Sequence, residues 1–413
     1  MKFFLILFFF FNISAYANNR KVLFWLSVDG FKFSYLEKST TPVLQDLLTK
    51  SLYTKSLRPI FPSITFPSHT SLSTGVKVQD HGIPSNVFYD ASTGETHQYP
   101  VNSSLLKAEP IWQTVKKGGL RVAVIDWPLS FNQTGEFKAD YFGESFNLTL
   151  SDEERIDKAL SIWQEDLNKG QHFDLIMAYV SGIDYAGHRY GPNDGNVMKA
   201  VENLDRLIGK ILNKMKILSE SNKSVDYYFL ITSDHGMSQV KYGVNLNLMS
   251  SLPEDTRIKV VPGGAIAHIF INSLTKAEKN KWLRHLENQY SQFDYVTLYQ
   301  KKNLPKKWGY NDENRVGDLV LVLDEGHCFV KNTKMVKVPI DEVGEPLGIH
   351  GFDPDRVKSM DGLMILWKYP QMRNPQEIRR IVKSLEIHPT VSKILHVKPS
   401  AKALMKALPE LKN

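Results

Sequence analysis

Five short runs of almost uninterrupted apolar residues constrain this chain more than any other feature: Val22–Val28, Val122–Ile125, Leu175–Val180, Tyr227–Ile231 and Leu363–Trp367. A strand with one face in water alternates apolar and polar side chains. These runs do not alternate, so both faces of each must be covered, as in a parallel sheet flanked by helices. Amphipathic stretches lie between them, the clearest being Val197–Leu212, where Val197, Val201, Leu204, Ile208 and Ile211 recur at helical spacing. The alternation predicts an α/β layered fold, with a mostly parallel central sheet, right-handed crossovers and helices on both faces. Residues from about 239 to 344, rich in Lys, Asn and Pro, break the pattern and are expected to form a small inserted subdomain beside the site.

The first residues, Met1–Phe11, join one positive charge to an apolar run, and Ala15-Tyr16-Ala17 supplies a small-x-small cleavage site. Residues 1–17 read as a secretory signal peptide, too short in their apolar core for a comfortable membrane span. The remaining Asn18–Asn413 is expected to be a catalytic domain that works as a secreted or periplasmic protein. Cys328 is the only cysteine, so no intramolecular disulfide can form, and an exported chain must be held by its own core or by metals. The formal charge of +7, which drops by one when Lys2 leaves with the leader, suits anionic substrates. There is no long Lys/Arg run and no nucleic-acid-binding module, which argues against a DNA or RNA binder.

In an open α/β sheet, ligands bind beyond the carboxyl ends of the strands. Three of the apolar runs lead into metal-ligating residue types there: Val28-Asp29-Gly30, then Asp184 and Gly187-His188 after Val180, then Ser233-Asp234-His235-Gly236 after Thr232. A late loop adds His350-Gly351. The stretch Phe61–Thr70 places Thr65 just ahead of Pro67, which suits the first turn of a helix running to Gly75. Thr65 would then stand at a helix N-terminus, among backbone N–H groups aimed at any anion near its hydroxyl. Six Asp and His side chains with a hydroxyl are the mixture that zinc accepts in a catalytic site, enough for two metals that each keep an open position. Asp184 and His188, four apart, can share one helical face. Adjacent Asp234 and His235 need a loop to point the same way.

Taken in order, these residues resemble the nucleotide pyrophosphatase/phosphodiesterase family of the alkaline phosphatase superfamily. The likeness is carried by Val28-Asp29-Gly30, Thr65-Phe66-Pro67 with His69, His81-Gly82-Ile83 leading to Asn86, and Pro110-Ile111-Trp112. It continues through Trp127-Pro128, Asp184 with Gly187-His188, Ser233-Asp234-His235-Gly236-Met237 and His350-Gly351-Phe352-Asp353. The resemblance implies an alkaline phosphatase-like fold and two Zn2+ ions. Asp29, Thr65, Asp234 and His235 would hold one ion; Asp184, His188 and His350 would hold the other. It implies Thr65 as nucleophile, and Asn86 with the Phe66 N–H as holders of a phosphoryl oxygen. Phe66 would stack on a nucleobase, with Phe146 or Tyr141 as a second aromatic. Ile64 stands where relatives often carry a basic residue, Ser68 where they carry Asn, and Ser181-Gly182 where many carry Glu and Pro.

The expected activity is hydrolysis of nucleotide phosphodiester or phosphoanhydride bonds through a phospho-threonine, releasing nucleoside monophosphates. Two other readings use the same residues. One is a choline-type glycerophosphodiesterase or phospholipase C-like enzyme of the same family. The other is a non-catalytic, zinc-stabilised binding protein, for which Thr65 and Asn86 would have no purpose.

Overall fold

In the computed structural model, which describes residues 19–249, 257–272, 274–331 and 333–412, the chain is built on a nine-stranded sheet. The expected leader, residues 1–17, lies outside the described residues. In chain order the elements are β1 (Arg20–Val28), α1 (Pro42–Thr49), β2 (Leu52–Arg58), α2 (Thr65–Thr74), α3 (Val78–His81), β3 (Val87–Asp90) and β4 (Glu95–Gln98). Then come α4 (Ile111–Lys117), β5 (Val122–Ile125), β6 (Tyr141–Phe142), α5 (Asp152–Asn168), β7 (Leu175–Val180), α6 (Gly182–Tyr190), α7 (Gly195–Ser221) and β8 (Val225–Thr232).

Strand β1 lies at the centre, parallel to β7 on one side and to β8 on the other, with β5 and β6 continuing past β7. The strand Gly362–Tyr369 runs antiparallel to both β8 and β2, between which it sits. Four of the five apolar runs are therefore parallel strands and the fifth is reversed. An uninterrupted apolar run reports that both faces are covered, which is true of Leu363–Leu366 as well, and it carries no information on direction. Strand β2 escaped the pattern because it alternates, with Leu52, Thr54 and Leu57 buried and Lys55 exposed.

Alternate residues of β1 feed the two core layers, as the pleat requires. Phe24 and Leu26 pack with Leu44 and Leu47 of α1, Ile156 and Trp163 of α5, and Val197, Val201, Leu204, Ile208 and Ile211 of α7. Leu23 and Trp25 face the other way, onto Leu72 of α2, Trp112 and Val115 of α4, and Val391 of the late helix Ile387–Ile394. Burial of each such side chain stabilises the fold by about 1.5–3 kcal/mol.

Between β8 and the reversed strand the chain forms a second lobe. Ile258–Gly263, Ile266–Ile271, Leu319–Leu323 and Val296–Gln300 make an antiparallel sheet, backed by the helix Lys276–Tyr290 through Leu286 and Tyr290. A smaller sheet joins His327–Val330, Tyr242–Asn245 and Lys337–Pro339. The lobe braces the loops that line the site. Trp308 stacks on Phe61 with ring centroids 3.8 Å apart, and the Tyr310 hydroxyl donates to the Pro84 carbonyl at 2.9 Å.

Candidate active site

Strands β1, β7 and β8 end side by side, and their continuations supply most of the acidic and histidine side chains. Asp29 follows β1 directly, and Gly30 then turns with φ +67°; a Cβ there would lie 3.1 Å from atoms of Asp184. Helix α6 carries Asp184 and His188 one turn apart, with His188 Nε2 3.3 Å from Asp184 Oδ2. Asp234 and His235 lie beyond the end of β8 in irregular backbone, so the two adjacent residues do converge, Asp234 Oδ2 standing 3.1 Å from His235 Nε2. Helix α2 begins at Thr65, has Pro67 in its first turn and ends at Gly75, where φ is +71°. The Thr65 hydroxyl lies 3.3 Å from His235 Nε2.

All six Asp and His side chains and Thr65 thus meet in one place. Asp184, His188 and His350 present ligand atoms within 4.8 Å of one another, and so do Asp29, Asp184 and His235. Asp184 therefore reaches both groups, a sharing that assignment to a single metal did not anticipate. Tautomers are set by carbonyls: Nδ1–H of His188 donates to Gly348, that of His350 to Ser63 and that of His235 to Gly236, at 2.8–2.9 Å. Their Nε2 lone pairs consequently point at each other and at carboxylates. His188 Nε2 and His350 Nε2 are 3.2 Å apart, and His235 Nε2 is 3.3 Å from Asp29 Oδ1. Asp29 Oδ1, Asp184 Oδ1 and Asp234 Oδ2 are buried without a hydrogen bond. Acceptors gathered against acceptors in a buried space call for cations, and the donor set fits Zn2+.

Electrostatics says the same. Burial, then the neighbouring carboxylates, pushes Asp29 well above the usual carboxylate range, and burial with Asp184 does so for Asp234. Burial pulls the His188 imidazole down, but Asp184 outweighs it and raises the group to about 9. Burial lowers His350 to about 4 and, with His350 beside it, holds His235 well below its ordinary value. Protons take the places that positive ions would fill.

The Phe66 N–H is not free: it donates to Asn86 Oδ1 at 2.9 Å, which leaves the Asn86 amide NH2 as the donor available to a phosphoryl oxygen. Phe66 is largely buried, packed with Ile83, Phe88 and Leu129. Phe146 sits 5.9 Å from the Tyr179 ring, with the Arg155 guanidinium 4.1 Å over its own ring. Tyr141 packs against the core layer shared with α5 and α7.

Several residues of the site lay outside the ligand pattern in the sequence. Tyr179 donates its hydroxyl to Asp29 Oδ2 at 2.5 Å, and His69 Nδ1–H donates to the Thr65 carbonyl at 2.9 Å while standing 3.3 Å from Asp234 Oδ2. Ser233 accepts from the Phe31 N–H and donates to the His235 carbonyl, tying two strand ends together. Tyr99, at the end of β4, stands 5.9 Å from Phe66, ring to ring. Of these, only His69 had a signal, its place one turn after Thr65 on α2.

Comparison with known proteins places this geometry. The family model described as type I phosphodiesterase / nucleotide pyrophosphatase matches residues 23–353. The chain is 29% identical over 383 residues to the Xenopus laevis bis(5'-adenosyl)-triphosphatase enpp4, covering 91% of this chain and 78% of that one. It is 30% identical over 340 residues to the human bis(5'-adenosyl)-triphosphatase ENPP4, covering 80% of this chain and 69% of the relative. Among solved structures, murine ectonucleotide pyrophosphatase / phosphodiesterase 5 superposes with a TM-score of 0.77 at 23% identity, over 92% of this chain and 96% of that one.

Proposed function

Since the chain belongs to the type I phosphodiesterase / nucleotide pyrophosphatase family, we propose that it hydrolyses nucleotide phosphodiester or phosphoanhydride bonds through a phospho-threonine on Thr65, releasing nucleoside monophosphates. The observation that carries this reading is the Thr65 hydroxyl, set at the start of α2 within 3.3 Å of His235 and among three buried carboxylates with unpaired oxygens. A non-catalytic zinc site would have no use for it. Two Zn2+ ions, one held by Asp29, Thr65, Asp234 and His235 and one by Asp184, His188 and His350, supply charge that makes the alkoxide accessible and offsets charge on the attacking and leaving oxygens.

Thr65 Oγ1 attacks phosphorus as the bond to the leaving oxygen breaks in line. Water then cleaves the Thr65–phosphate bond, restoring the hydroxyl and releasing the monoester. The Asn86 amide NH2 donates to a non-bridging oxygen, a role that can be worth about 3 kcal/mol. The N-terminal end of α2 adds its dipole. His69 and Tyr179 fix Thr65 and Asp29 from behind, and Phe66 and Phe146 border the space for the nucleoside. The domain in this reading runs from Asn18 to Asn413 with the second lobe as an insertion, and it acts outside the cytoplasm after loss of residues 1–17. Among the described residues no helix is long and apolar enough to cross a membrane.

Relatives support a nucleotide substrate: two are named as bis(5'-adenosyl)-triphosphatases, and murine ENPP5 has been solved as an inactive threonine-to-alanine form in complex with AMP. The test is a side-by-side rate assay of zinc-loaded protein on p-nitrophenyl thymidine monophosphate, p-nitrophenyl phosphorylcholine and p-nitrophenyl phosphate. The first is expected to be turned over fastest. Preference for the second would move the substrate to choline diesters, and preference for the third would overturn the diesterase reading.

A further inference from the structure

Phe66 is the aromatic that follows the nucleophile, yet it has little surface to offer. Only 9% of it is exposed, whereas Tyr99 is 62% exposed at the same site. The two rings meet edge to face, centroids 5.9 Å apart and planes at 77°, so they form a corner in which Tyr99 is the open wall. Tyr99 reaches this position in a backbone conformation that L side chains rarely adopt, with φ +44°. It follows β4 directly and precedes Pro100, and its N–H donates to the Asn86 carbonyl at 2.8 Å. The β3–β4 hairpin that carries it is clamped by the second lobe, through the Tyr89 ring 5.0 Å from Phe270 and packed with Val261. An exposed aromatic contributes little to a core, so holding it in a strained conformation points to use rather than packing.

The hydroxyl end matters as much as the ring. It contacts the Asn86 side chain, and the charges of Asp184 and Asp29 reach it, which sets it over the acidic centre. Asn86 Oδ1 is already engaged by the Phe66 N–H. With the phenol on the amide as well, the carboxamide is gripped from two sides. Its NH2 carries two hydrogens, so a contact to Tyr99 still leaves one for a phosphoryl oxygen.

We propose that Tyr99 is the main nucleobase-contacting side chain of this enzyme and that its hydroxyl is a positioning group for Asn86, linking the nucleoside pocket to the donor that meets phosphorus. The inference rests on the nucleotide reading for its first half only. Binding of a base against the Tyr99 ring would steady the phenol, and with it the Asn86 amide, so that nucleotides are favoured in turnover as well as in binding.

The experiment compares zinc-loaded wild type, Tyr99→Ala and Tyr99→Phe on p-nitrophenyl thymidine monophosphate and on methyl p-nitrophenyl phosphate, which lacks a base. Tyr99→Ala should raise KM for the thymidine ester about tenfold and leave KM for the methyl ester within about twofold. Tyr99→Phe should keep both KM values and lower kcat on both esters about fivefold, with no further loss when Asn86→Ala is already present. Equal KM changes on the two esters would overturn the base contact. A Tyr99→Phe enzyme with wild-type kcat, or a loss that persists in the Asn86→Ala background, would overturn the positioning role. If wild type prefers p-nitrophenyl phosphorylcholine, the nucleotide reading fails on that result alone, and the methyl ester still decides the link to Asn86.

Discussion

The two halves of the acidic centre differ in depth. The side chains of Asp29, Asp234 and His235 are 3%, 0% and 0% exposed, while those of Asp184, His188 and His350 are 15%, 31% and 7% exposed. The inner half is backed by β1 and β8, the two most buried strands, and is wired to the core through Tyr179, His69 and Ser233. The outer half rides on the short helix α6 and on the His350 loop, steadied by backbone carbonyls. The difference teaches a division of labour. The deep half keeps water away from the nucleophile, and the shallow half faces the side from which a leaving group must depart.

The largest effect expected is at the inner half. Thr65→Ala should reduce turnover by at least about 10³-fold while leaving zinc content and thermal stability near wild type, because it removes the bond-forming atom and little packing. Turnover within tenfold of wild type would take Thr65 out of the mechanism. Next come paired variants that set depth against depth. Asp234→Asn, which neutralises a ligand no water can replace, should cost on the order of 10³-fold in rate and strip the inner zinc. His188→Ala, whose place water can enter, should cost on the order of 10²-fold and retain close to one zinc per chain. Equal metal loss by elemental analysis in the two variants would erase the distinction. Smaller still, Tyr179→Phe should weaken zinc affinity about tenfold by removing the donor to Asp29, with the fold intact; unchanged affinity in a chelator competition would make that contact incidental.

The smallest effect is on stability against pH in chelator-treated protein. Burial lowers His188, but Asp184 more than offsets it, so its folded value of about 9 exceeds the roughly 6.5 of an unfolded imidazole. Its contribution is then fully present below about pH 6.5 and is lost as pH rises through about 9. Asp29 and Asp234, held above their unfolded values by burial and mutual repulsion, lose stability in the same direction as they give up protons. The metal-free Tm should fall across pH 6.5–9, whereas in zinc-loaded protein, with zinc in place of the protons, it should stay level. A flat metal-free curve would mean that the outer cluster binds no proton.

Much of this architecture was readable from local pattern. Val22–Val28, Leu175–Val180 and Tyr227–Ile231 are strands buried on both faces, and such strands have one composition whatever the partner. The residues that follow them must emerge at the same edge of a parallel sheet, so Asp29, Asp184 and Asp234 could be placed together before any coordinate was known. Proline and glycine marked the ends of α2 by their backbone preferences alone. The resemblance added roles that no spacing supplies.

Other features depend on pairings between distant parts of the chain, and these only the tertiary structure decided. The reversal of Gly362–Tyr369, the sharing of Asp184 between both groups and the capture of the Phe66 N–H by Asn86 leave no periodic trace. Nor do the contacts of Tyr179 with Asp29, 150 positions apart, or of Tyr310 with the Pro84 carbonyl, 226 apart. Burial imposes a pattern on every strand or helix that experiences it, and so it is written in the sequence near where it acts. A hydrogen bond between remote side chains needs only one residue at each end, and which residues those are is settled when the layers close.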